Sequence, residues 1–133
     1  MLRATFGTVH WPLLVAASLA LLAVRPFPTY LLSYAARAES LVRRFLELSG
    51  RLPSGGRSAA LPVRSELAAL HEAFKSLECP DAASGYHWAV SEAMRLDLEA
   101  LAARGSWEAA LRRKEADRHW RRASDEARLF SAA

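Results

Sequence analysis

The chain has little of what usually announces chemistry. It holds one cysteine, Cys79, so an internal disulfide and the Cys-x-x-Cys-His run that attaches c-type haem are both excluded. The paired Glu-x-x-His steps of ferritin-like di-iron bundles do not occur. Gly55-Gly56 lacks the lysine and the preceding strand of a phosphate-cradling loop. Serine, histidine and acid residues are present, but no strand-turn-helix elbow frames a nucleophile. Cys79 itself stands between Glu78 and Asp81, acidic neighbours that raise a thiol pKa and make it a poor nucleophile. These absences lead us to expect a protein that is not an enzyme and for which no cofactor is predicted.

Charge of either sign is not scarce, but it is unevenly placed. Residues 25 to 64 carry seven arginines against two glutamates, whereas residues 65 to 103 carry seven acids against Lys75 and Arg95. Residues 104 to 133 return to eight basic groups against five acids. A nucleic-acid binder concentrates its basic charge on one surface. An acidic middle between basic flanks instead fits helices that complement one another within one fold.

Long apolar runs are also few, and one dominates. Leu13 to Val24 has no charged residue, and the apolar stretch reaches back to Trp11. Trp11, Leu13, Leu14, Leu19, Leu21, Leu22 and Val24, with Arg25 able to snorkel, form a segment at the short end of what crosses about 30 Å of hydrocarbon. Trp11 and Tyr30 flank it as interfacial aromatics do. Arg25-Pro26-Phe27-Pro28 ends or bends any helix there. Residues 1–25 are thus read as a membrane anchor or signal-like segment. A cleaved signal, with Ala36-Arg37-Ala38 as its site, and a soluble core helix are the rival readings. The positive-inside rule would keep Arg25, Arg37, Arg43 and Arg44 in the cytoplasm. A signal-anchor would export the C-terminal domain, and this second topology is preferred because the basic residues after Pro28 read as part of a folded helix.

Residues 26–133 read as a helical domain. Leu31, Ala35, Ala38, Val42, Phe45 and Leu48 recur in steps of three and four, which marks one face of a helix over 29–49. Gly50 is a good C-terminal stop, and 50–61 reads as a flexible loop. Val63, Leu67, Leu70, Phe74 and Leu77 define a second helix over 62–78. Cys79-Pro80-Asp81 ends it, with Asp81 expected to cap the next. His87, Val90, Met94, Leu98 and Leu101 predict a third over 82–103. A further stripe of Ala89, Ala93, Leu96 and Ala100 would admit another helix closely. Ala109, Ala116, Trp120, Ala123, Ala127 and Phe130 predict a fourth over 107–130, with Ser106 at its start. The fold class is therefore all-α: an N-terminal transmembrane, signal-anchor-like helix followed by an antiparallel three- to four-helix bundle.

Three sets of residues are candidates for function. If the helices form consecutive hairpins, His71, His87 and His119 fall near one layer with Glu115, a group able to ligate a metal or haem iron. Arg112, Arg113, Arg118, Arg121 and Arg122 are candidate contacts for nucleic acid or anionic lipid. Trp88 and Trp107 lie off the main stripes and are candidate partner anchors, together with the Ala89, Ala93, Leu96 and Ala100 stripe. The leading reading is a non-enzymatic, membrane-tethered helical bundle that serves a membrane-associated assembly as an accessory, scaffold or interaction subunit. Its partners would be the bilayer and a protein, or a second copy. A metal- or haem-binding bundle is the first alternative. A cytoplasmic basic domain binding nucleic acid or anionic lipid is the second and the less favoured.

Overall fold

The computed structural model describes residues 29–51 and 61–132, and the segment holding Trp11 to Arg25 lies outside them. The described chain is helical, with α1 (Thr29–Ser49), α2 (Leu61–Lys75), a 3-10 turn (Asp81–Ala83), α3 (Ser84–Ala102) and α4 (Ser106–Ala132). No strand occurs among these residues. No helix among them is long and apolar enough to cross a membrane. The anchor reading therefore rests on residues the structure does not describe.

The helices run up, down, up and down. Arg44 of α1 reaches Glu66 of α2, while Tyr34, near the start of α1, lines a cavity with Leu77 and Cys79 just beyond the end of α2. Phe74 of α2 stacks on His87 of α3. Arg112 near the start of α4 pairs with Glu99 near the end of α3, and Trp88 near the start of α3 meets His119 of α4. Each consecutive pair is thus antiparallel, as short connections require.

The apolar stripes set which faces turn inward. Ala35, Ala38, Val42 and Phe45 of α1 are buried, as are Leu67 and Phe74 of α2 and Ala116, Trp120, Ala123 and Ala127 of α4. Val63, Leu70 and Leu77 are only partly covered, so α2 contributes the least to the core. In α3 the inward face is wider than the Val90 and Met94 row. Ala89 and Ala93 are fully buried and Leu96 and Ala100 nearly so. The close approach that this small-residue stripe permits is taken by α4 of the same chain, so it presents no open surface to a partner helix.

The ends of the helices differ from expectation in two places. α2 stops at Lys75, and the chain passes through a turn in which Leu77 N–H bonds to the Phe74 carbonyl. Asp81 does not cap α3. It opens the 3-10 turn, and Ala83, which makes no side-chain cap bond, precedes α3. The Glu126 carboxylate of α4 lies over Gly85 in the first turn of α3, where an added Cβ would sit 2.5 Å from a carboxylate oxygen. A negative group at a helix N-terminus is favoured by the exposed N–H groups and the helix dipole. Glycine makes the space for it.

Candidate functional site

Gly50 ends α1 with a φ of 80°. Its N–H bonds to the Glu47 carbonyl and that of Arg51 to the Leu46 carbonyl, the pattern that turns a chain back under a helix end. That turn drives Arg51 inward. Its side chain is only 5% exposed and grips Asp97 of α3 through Nε and Nη2, at 2.9 and 2.7 Å. Nη1 donates to Asp117 of α4 at 2.5 Å. Asp97 also accepts the indole N–H of the fully buried Trp120 at 3.0 Å, and Arg113 stands 3.8 Å away. Burial works against the Arg51 charge. The carboxylates of Asp97 and Asp117 more than offset it, and the guanidinium is held above its ordinary range. One arginine thus ties three helices together at the Gly50 end.

The opposite end is built from neutral groups. Tyr34 of α1, almost fully buried, lies 3.0 Å from Nδ1 of His87 on α3. Helix α2 closes the other side, where Phe74 stacks on the imidazole with ring centres 4.6 Å apart. The Tyr34 oxygen can donate to a bare Nδ1 or accept from a protonated one, so the direction of that bond follows the tautomer of the ring. Burial holds His87 below the usual histidine range. Burial also drives the Tyr34 phenol far upward, with Tyr86 and Cys79 adding to the effect. The Cys79 thiol is raised too, first by burial and then by Asp81, against a hydrogen bond from Tyr34 that lowers it. An open cavity of about 310 Å³, lined by Tyr34, Arg37, Leu77 and Cys79 among others, lies at this end.

The structure does not bring the predicted ligand set together. Among the described residues no group of three or more His, Cys, Asp or Glu side chains is arranged to hold a metal ion. His87 is turned to Tyr34 and Phe74. His71 is buried, which holds it below the usual histidine range, and His119 lies edge-on to Trp88 at 5.3 Å. His71 and His119 do share one neighbour, Glu92, whose carboxyl is held low chiefly by Arg95. Glu115 is engaged by Arg112 at 3.3 Å.

The arginines of α4 are largely spoken for. Arg112 bridges Glu99 and Glu115, Arg113 approaches Asp97, and Arg122 lies 3.9 Å from Glu126 while covering Trp88 at 5.6 Å from the ring centre. Arg118 and Arg121 are exposed. Trp88 is half-exposed but packed by Arg122 and His119. Trp107 differs. It is 78% exposed, with Leu111 one helical turn further on and 43% exposed.

Comparison with protein-family models, with curated proteins and with solved structures finds no match. The reading of function therefore rests on the geometry of this chain.

Proposed function

We propose that the chain works by contact, as a membrane-tethered accessory or scaffold subunit of a membrane-associated assembly. Residues 1–25 would be the tether, and the bundle would stand on the extracytoplasmic side. The observation that supports contact as its mode of action is Trp107. The fold buries Trp120 completely and packs Trp88 under Arg122, yet leaves Trp107 bare beside Leu111. Aromatic side chains of this kind are the commonest energetic anchors of protein interfaces. Trp107 also lies at the Gly50 end of the bundle, away from the start of α1, where the tether would enter. The anchor would raise local concentration near the membrane and the far end would carry the contact.

Two measurements test the two halves of this reading. A photoreactive phenylalanine analogue at position 107, irradiated in cells, is expected to give one discrete adduct that the same analogue at Lys114 does not. Equal labelling at both positions, or none, removes the Trp107 surface. For the tether, a C79S chain bearing K114C is treated with a membrane-impermeant maleimide. Labelling of intact cells, with the chain recovered in the membrane fraction, supports the proposed topology. Labelling only after lysis overturns it and puts the bundle in the cytoplasm.

A further inference from the structure

The cavity of about 310 Å³ beside Cys79 is one half of a longer groove along the seam between α1 and α2. A second hollow, of about 430 Å³, lies between Ala36, Ser40 and Leu41 of α1 and Ala73 of α2. Arg37 and Leu77 line both, so the two adjoin. One helical turn beyond Leu41, the Arg44–Glu66 bridge crosses the seam and closes it. From Ser33 to Leu41 the groove runs about 12 Å along α1, at 1.5 Å per residue.

Its two halves differ in character. Past Arg37 it is apolar: Ala36 and Ala73 are too small to fill it, and Leu41 and Leu77 are left only partly covered. The half at the Pro80 end holds one exposed cation, Arg37, and one exposed anion, Glu78. Among the described residues neither has an ion-pair partner, whereas Arg43, Arg44 and Lys75 nearby are each held by a glutamate.

An apolar trough that leads to an unpaired cation and an unpaired anion matches an amphiphile whose head carries both charges. We propose that the α1–α2 groove binds a single-chain zwitterionic phospholipid, with the phosphate on Arg37, the ammonium on Glu78 and the acyl chain over Leu77 and Leu41. A guanidinium presents paired N–H donors to phosphate oxygens, and a carboxylate accepts from an ammonium. Each of these exposed contacts is weak alone. The tail supplies most of the affinity, methylene by methylene, and the two charges choose the head. A purely anionic head would satisfy Arg37 but meet Glu78, and an uncharged head would engage neither. The hollow past Arg37 is a single trough bounded by two helices, which takes one chain rather than two. This inference stands whether or not residues 1–25 are a tether, and it makes no use of Trp107.

The test uses the full chain in dodecyl maltoside, irradiated with lysophosphatidylethanolamine that carries a diazirine in its tail, below saturation. Adducts mapped by peptide mass spectrometry are expected on residues 36–41 and 73–77, and excess unlabelled lysophosphatidylethanolamine should suppress them. Arg37→Gln and Glu78→Gln are each expected to lower that yield about two- to fivefold, the scale of an exposed ion pair. Lysophosphatidic acid with the same tail separates the two charges, since Glu78→Gln should raise its yield while lowering that of the zwitterion. Should either variant fail to fold by circular dichroism, the wild-type chain decides: the zwitterion is expected to label the groove more than lysophosphatidic acid or a monoacylglycerol of equal tail. Equal labelling by the three heads, a Glu78→Gln effect of one sign on both charged lipids, or adducts spread evenly over the four helices overturns the proposal. So does a groove without adducts, the result expected if residues 1–25 or a second copy of the chain covers it.

Discussion

At the Gly50 end of the bundle a full positive charge lies buried among two carboxylates and an indole, whereas at the Pro80 end a phenol, an imidazole and a thiol lie together with no charge at all. Both ends join α1 to α3, but by different means. The Arg51 guanidinium is held above its ordinary range by Asp97 and Asp117, so it stays charged throughout the neutral pH range. The Tyr34–His87 contact joins an imidazole that burial holds below the usual histidine range to a phenol that burial holds above its own. One end of the bundle is thus joined through a buried charge and the other through stacked and hydrogen-bonded rings.

The largest effect should come from breaking the charged end. Arg51→Met leaves Asp97 buried without its cation and is expected to cost about 3–5 kcal/mol in urea unfolding. Trp120→Phe keeps much of the ring but removes one donor to Asp97, with an expected loss of about 1–3 kcal/mol by the same measurement. Tyr34→Phe deprives His87 of its hydrogen-bond partner and should cost about 1–2 kcal/mol at pH 7.5. The smallest effect belongs to the exposed pairs. Arg95→Ala, which cuts the contacts with Glu92 and Glu99, should change thermal stability by less than about 1 kcal/mol, and salt should diminish even that.

The sequence made the helices legible because their apolar spacing is regular, and Gly50 and Gly105 mark two breaks that the structure retains. The pairing of α3 with α4 followed from a short hairpin about Gly105, and Trp88 does meet His119 there. Arg51 was not legible. It falls in a stretch rich in glycine and serine that reads as a loop, and only the left-handed Gly50 turns it inward. The available signal was Asp97, a carboxylate four residues after Ala93 on a stripe otherwise made of small residues. The histidine layer was legible in height along the bundle but not in direction. Which way an imidazole points depends on side chains such as Tyr34 and Phe74 that lie far away in sequence. The small-residue stripe was legible as a helix-accepting surface, but spacing alone does not say whose helix fills it.

Glu126 over Gly85 carries a consequence for the order of events as the chain is made. The carboxylate that covers the first turn of α3 lies some forty residues further along, in the last third of α4. While the chain grows from its N-terminus, the contact over Gly85 cannot form until α4 is almost finished. The α3–α4 hairpin is then fastened last at the place where α3 began.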